Sequence, residues 1–377
     1  MKKSIFLFGL LFVTSLMCAQ KTVWVKQTGG HNKATIKQNA CQSLDALYIY
    51  AWQPGYMNSL TTFQKSPDNY LKLIQGGDEN SADLTQRNCE CDPEENDMYI
   101  TQSGNSNEAT TFQKGNDNYL YLYQDGYDND ADFIQKNCCD TYPGWNDVDI
   151  YQWGNSDTVS GYQLGHINWA GLSQPGIFNY SFVIQEICEH NHNPTPYYNG
   201  NNVLDVDQSG IKNSAEVIQR EDNQSGMDWS WNYAKARQSG YKNNYSLKQG
   251  RFGSGVWKPV NKSYLTQSGN SNYASMSQSG LKQYSEITQT SGAKFNLAKL
   301  DQRGAHFNGW NKSYSRQYGY KNDIIIHQHA NAALTYANSI QNGTKNYTLI
   351  EQASTEETKA KAYQYGSTDE LDIDQHD

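Results

Sequence analysis

Apolar and polar residues alternate along this chain in short runs that restart at a fixed interval. Residues 102–135 read QSGNSNEATTF, QKGNDNYLYLY, QDGYDNDADFI and then Gln135. Counting from each Asn, the second and fourth residues are apolar or small and the sixth is the next Gln. Leu71 and Leu73, Ala131 and Phe133, Val148 and Ile150, and Ile324 and Ile326 fill those positions. Side chains two apart share a strand face, so this period predicts a half-buried strand running from Asn to Gln. The intervening x-G-x-x predicts an arc, because glycine reaches positive φ without a Cβ clash.

Glutamine recurs in this frame at 28 positions, from Gln27 to Gln375, through Gln102, Gln113, Gln124, Gln135, Gln208, Gln219, Gln267 and Gln278. Seventeen of the 27 spacings are 11 residues and the other ten are longer; none is shorter. Scatter would err in both directions, so the long spacings are insertions into a fixed frame. Nine of the ten follow an even-numbered glutamine; the exception is two extra residues between Gln289 and Gln302. Two arcs per coil place those nine on one edge, whereas three would scatter them. The predicted fold is all-β: a solenoid of about 14 two-strand coils built from 11-residue half-repeats, with two parallel sheets. The larger insertions fall within 39–52, 87–101, 136–151, 186–207, 220–237 and 250–266.

The Gln and Asn of each strand lie on the inward parity. A buried amide without a partner costs about 1–3 kcal/mol. Identical amides one coil above and one below remove that penalty, since each donates and accepts. Gln102 to Gln135, Gln208, Gln219, Gln267 and Gln278, with Asn107, Asn118, Asn129, Asn213 and Asn272, are the expected ladder residues.

Composition changes the picture in one respect. Only 37% of residues are hydrophobic, which alone suggests disorder. Stacked repeats escape that conclusion, because backbone and amide ladders replace a thick core. Residues 1–19 read as a secretory signal: Lys2 and Lys3, an apolar stretch from Ile5 to Met17, and a small residue at Ala19. Cys18 raises lipidation, but Met17 fits a lipidation site poorly. Residues 20–377 then form a single solenoid domain. Removing Lys2 and Lys3 leaves 28 basic against 39 acidic residues, a net charge of −11. That balance argues against nucleic acid, and no stretch is long and apolar enough for a membrane helix.

The phrase Q-x-G-x-x-N-x-A-x-x-x-Q resembles the curlin repeat of curli fibre subunits. It occurs as Gln102–Gly104–Asn107–Ala109–Gln113, Gln124–Gly126–Asn129–Ala131–Gln135, Gln208–Gly210–Asn213–Ala215–Gln219 and Gln267–Gly269–Asn272–Ala274–Gln278. The resemblance runs from residue 27 to 375. It implies passage through an outer-membrane secretion machinery, nucleation at a bacterial surface, and growth into extracellular amyloid fibres that hold cells together in biofilm. Partners would be further copies end to end, or related subunits. The chain departs from that family in its length, in carrying Asn in both half-repeats, and in its cysteines. The ladder's reach from Gln27 to Gln375 leaves no expected cap, which predicts end-to-end growth.

The remaining candidates sit in the insertions. Cys41, Cys89, Cys91, Cys138, Cys139 and Cys188 are distributed 1–2–2–1 over the first four. An even count in a secreted chain suggests disulfides between successive loops: Cys41–Cys89, Cys91–Cys138 and Cys139–Cys188, or crossed partners within the pairs. Cys188, His190 and His192 offer a rival metal cluster, but no second loop repeats the set. Tyr197, Tyr198, Trp229, Trp231 and Trp257 are either loop packing or a surface for glycans, the latter being the basis of an alternative reading as a non-polymerising adhesin. No catalytic motif, cofactor fingerprint or clustered acid–base pair occurs, so a non-enzyme is expected.

Overall fold

The computed structural model describes residues 11–15, 21–38, 47–65, 69–87, 96–115, 118–136, 146–164, 168–188, 200–222, 230–250, 260–279, 283–290, 292–302, 311–328, 335–353 and 358–376. They form strands and short arcs, and no described residue is helical. The chain divides into two units: residues 1–166 with 172–176, and residues 167–171 with 177–377.

In the first unit, the strands Lys21–Gly30, Leu47–Tyr56, Asn69–Gln75, Asn96–Asn105, Asn118–Tyr127 and Asn146–Asn155 pair in parallel as one sheet, here sheet 1. The strands Lys33–Gln38, Ser59–Gln64, Ser81–Arg87, Glu108–Lys114, Asp130–Lys136 and Thr158–Leu164 pair in parallel as sheet 2. The chain alternates between the sheets, one strand of each per coil. Glutamine sets the register: Gln102 lies opposite Gln124, and Gln113 opposite Gln135. The second unit repeats the arrangement, with Gln208 opposite Gln238 in sheet 1 and Gln219 opposite Gln249 in sheet 2. The first unit holds six such strand pairs. The second holds seven from Gly200 onward, and the strand Asn168–Ile177 has residues in both units. This is the predicted two-sheet parallel β-solenoid.

The core is the inward parity. Ala109, Leu122, Val148 and Ile150 are fully buried, as are Val206, Val217 and Leu247 in the second unit. Side-chain volume is matched between neighbouring coils. Gly161 lies opposite Phe133, and a Cβ at Gly161 would fall 1.9 Å from the Phe133 ring. Tyr245 is wholly buried where its neighbours in register are Ala215 and Ala274.

The two coil edges differ as the spacing predicts. Every passage from sheet 1 to sheet 2 is a tight arc, described throughout apart from residue 291. The passages from sheet 2 to sheet 1 carry the nine insertions. The predicted insertion spans end inside the next strands, which begin at Leu47, Asn96, Asn146, Gly200, Ser230 and Val260. The residues between lie outside the described set. So do Cys41, Cys89, Cys91, Cys138, Cys139, Tyr197, Tyr198, Trp229 and Trp257, and with them the disulfide and loop-binding expectations. Cys188 and Trp231 are described only as strand backbone, opposite Asp222 and Asn201.

Candidate functional site

The tight arc is built from three residues in series. Gly104 takes φ +93°, and the Gly126 carbonyl of the next coil stacks against it so closely that a Cβ at Gly104 would lie 2.0 Å from the Gly126 oxygen. The residue just before the Asn is left-handed although it is not glycine: Ser106, Asp128 and Lys242 have φ of 58°, 55° and 52°. That conformation costs L-residues roughly 1 kcal/mol or more, and persists only where surroundings over-determine it. Here the arc backbone supplies the determination. Ser106 N–H donates to the Asp78 carbonyl at 2.9 Å, and Asp128 N–H to the Asn105 carbonyl at 3.1 Å. The stacking thus continues around the bend.

The Asn completes it. Asn107 Nδ2 donates to Ser103 O four residues back at 2.8 Å, and Asn107 Oδ1 accepts Asn129 N–H from the next coil at 3.1 Å. Asn80, Asn58 and Asn32 repeat the pattern below it. In the second unit Asn243 accepts Asn272 N–H, and Asn213 accepts Asn243 N–H. The arc Asn is therefore mainly a staple between side chain and backbone. Amide-to-amide bonding of Asn occurs on both edges: Asn107 Nδ2 also donates to Asn80 Oδ1 at 3.1 Å in the arc, and Asn118 Nδ2 donates to Asn96 Oδ1 at 2.8 Å on the opposite edge. The even charge-free bonding has one substitution in the first unit: Asp157 fills the Asn position, fully buried, its N–H donating to Asn129 Oδ1.

Glutamine forms the expected amide ladder. In sheet 1 of the first unit each Nε2 donates to the next coil's Oε1, from Gln27 through Gln53, Gln75, Gln102, Gln124 and Gln152 to Gln174, at 2.6 to 3.3 Å. Sheet 2 does likewise from Gln38 to Gln163. Many of these Nε2 groups also reach backbone: Gln124 donates to Glu108 O and Asn129 O. In the second unit the direction changes. Gln238 donates back to Gln208, and Gln249 back to Gln219, whereas Gln267 donates forward to Gln289. Gln238 Oε1 and Gln267 Oε1 are buried acceptors without a hydrogen bond. Gln278 is opposite Gln249 and Gln302 in backbone register.

The outer faces of the two sheets differ. Sheet 1 carries stacked aromatic rings. Trp24 lies 4.4 Å from Tyr50 with planes 15° apart, and Tyr70, Tyr99 and Tyr119 follow one another at 5.3 and 5.7 Å. In the second unit Tyr233, Tyr264, Tyr284, Tyr314 and Tyr336 form a continuous run at 5.4 to 5.7 Å. Partial burial, with Glu286 alongside, raises the Tyr284 phenol above its usual value. The first coils bear a groove of about 480 Å³ lined by Trp24, Tyr48, Tyr50, Trp52, Tyr70 and Lys72. Parallel strands make this run inevitable, because equivalent outward positions superpose. Sorting the tyrosines by odd or even glutamine would have revealed it; reading each repeat alone does not.

Acids stack as well. Asp130 lies opposite Glu108 in sheet 2. Burial first, then Glu108 and Asp132, raises the Asp130 carboxyl above its ordinary value. Burial raises Asp132, and burial with Asp149 beside it raises Asp147.

These features define a class: a parallel two-sheet β-solenoid whose coils are joined by amide ladders and stapled arcs. The family model of the curlin associated repeat matches residues 94–126. Residues 94–126 are thus similar to the curlin associated repeat, and the register described above carries the same 11-residue frame well beyond the matched residues. No curated protein matches the chain.

Proposed function

We propose that this protein is a structural subunit of an extracellular curli-like amyloid fibre, acting in cell adhesion and biofilm matrix at a bacterial surface. One observation carries the reading. Strands in register offer one another the same backbone and glutamine groups, and the strands Lys21–Gly30 and Glu370–His376 keep that pattern with inward residues half exposed. Val23, Val25 and Gln27 are half exposed in the first of these strands, and Leu371, Ile373 and Gln375 in the second. Such strands are templates for further parallel strands. Self-association, export through an outer-membrane machinery and a non-enzymatic role all belong to this reading.

Thioflavin fluorescence and electron microscopy of the chain beginning at Gln20 test it. Unbranched fibres are expected; monodisperse monomer at high concentration would defeat it. The aromatic groove on sheet 1 favours a second reading, a non-polymerising adhesin for surface glycans, with the ligand on the sheet face rather than on the insertions. Pyranose rings stack on aromatic faces and leave their hydroxyls to polar neighbours such as Lys72.

A further inference from the structure

The sheet 2 strands Lys33–Gln38 and Glu370–His376 carry opposite charge in matching register. Residues 21–38 contain Lys21, Lys26, Lys33 and Lys37 and no acid. Residues 358–376 contain Asp369, Glu370, Asp372 and Asp374, with Lys359 and Lys361 confined to the sheet 1 strand. In sheet 2, Lys33 and Lys37 stand five and one residues before Gln38, while Glu370 and Asp374 stand five and one before Gln375. Within the chain, in-register pairing places residues with equal offsets opposite each other: Tyr347 faces Glu370, and Lys33 faces Ser59.

Resting on the fibre reading, we propose that copies join head to tail in one charge-selected register, with the Glu370–His376 strand of one copy laid on the Lys33–Gln38 strand of the next. That register places Glu370 opposite Lys33, Asp374 opposite Lys37, Ile373 opposite Ile36 and Gln375 opposite Gln38. In sheet 1 the same step places Gln364 opposite Gln27, Tyr363 opposite Lys26 and Lys361 opposite Trp24. The half-exposed apolar residues of both ends are covered together. Opposite charges directly across a strand pair stabilise it, and like charges there oppose it, so a slipped or reversed junction is disfavoured.

A second observation shows that this edge accepts a parallel strand. Leu11–Ser15 lies on Lys33–Gln38 with Leu11 opposite Ala34 and Ser15 opposite Gln38. Those are the positions that Leu371 and Gln375 of another copy would take. Residues 11–15 fall within the expected signal segment, so the leader and the neighbouring copy compete for one edge, and removal of the leader frees it.

The test uses the chain from Gln20 and its fourfold variant Lys33→Glu, Lys37→Glu, Glu370→Lys and Asp374→Lys, in seeded growth at low salt. The variant's two ends remain complementary to each other but not to those of the wild type. It should grow on its own seeds within about threefold of wild type, and about tenfold or more slowly on wild-type seeds, the effect shrinking at high salt. Equal growth on both seeds overturns the junction while leaving the fibre reading intact. Growth of the variant on its own seeds also reports that it folds. Failure to grow on its own seeds, while wild type grows, overturns the proposed register. Wild-type chain that never grows overturns the fibre reading and the junction with it. The chain retaining residues 1–19 should elongate wild-type seeds more slowly, and equal rates overturn the leader's role.

Discussion

The two edges of each coil begin from similar sequence and end with different physics. On the tight edge, glycine, a left-handed residue and a stapling Asn follow one another from coil to coil, with Ala293 in the glycine column and Asp157 and Asp369 in the Asn column as the departures. On the opposite edge the sequence takes up insertions of many lengths. The contrast teaches where the tolerance of a solenoid lies: an arc whose own backbone is part of the ladder cannot be lengthened without breaking that ladder. The single exception supports the rule. Between Gln289 and Leu297 two residues are added, yet Ala293 occupies the glycine column and its carbonyl still accepts Asn272 Nδ2. The extra length is absorbed before it, with Gly292 at φ +100° and Ala293 N–H donating to Thr290 O.

The sharpest way to break this contrast is Gly104→Ala. The new Cβ meets the Gly126 carbonyl at 2.0 Å in a backbone conformation that L-residues resist. The expected loss is about 3 kcal/mol or more, read as a lowered denaturation midpoint with the first unit's amides losing hydrogen-exchange protection. A Gly104→Ala chain as stable as wild type would refute the stacked-arc account. Asn107→Ala should cost about 2–3 kcal/mol, because Asn129 N–H loses its buried acceptor and Ser103 O its donor. Restoration of that loss by Asp but not by Leu at position 107 would separate hydrogen bonding from volume, since Asp157 already fills the equivalent position in another coil.

Acidity offers a milder test. Asp130, Asp132 and Asp147 have folded-state pKa values above their ordinary 3.8. The folded chain then holds those protons more readily than the unfolded chain. Stability should fall as pH rises from about 3.8 through the raised values, so mild acidification from neutral pH raises the denaturation midpoint. Removing Glu108, a neighbour that raises Asp130, as Glu108→Gln should shrink that gain; a midpoint that declines on acidification over this range would contradict it. The smallest effect is expected on the other edge. Four Gly/Ser residues inserted between Leu164 and Asn168 should cost under about 1 kcal/mol, since loop closure grows slowly with length. The same insertion after Ser106 should be far more damaging, and equal costs would erase the distinction between the edges.

Much of this organisation is legible residue by residue. The inward pair Ala131 and Phe133, the ladder Gln124, and the arc Gly126 each follow from parity and spacing, because a fixed repeat leaves only one way to superpose equivalent positions. The left-handed Ser106 and Asp128 were not legible. Serine and aspartate carry no obligatory backbone signal, and their φ is set by hydrogen bonds from the coil below. The role of Asn107 was half legible: its burial follows from parity, but its bonding to backbone as well as to a neighbouring amide depends on the arc bringing both Ser103 O and Asn80 Oδ1 within reach.

Sequence alone determined the 11-residue frame, the two-strand coil, the sorting of insertions onto one edge and the inward Gln, Asn and apolar set. All are periodic properties, and parallel stacking converts period directly into position. Only the tertiary structure decided how the amides are spent, which way each ladder donates, that aromatic rings gather on one sheet's outer face, and that Leu11–Ser15 lies on the first sheet 2 strand. Those depend on distances between coils and on backbone groups that carry no letter in the sequence.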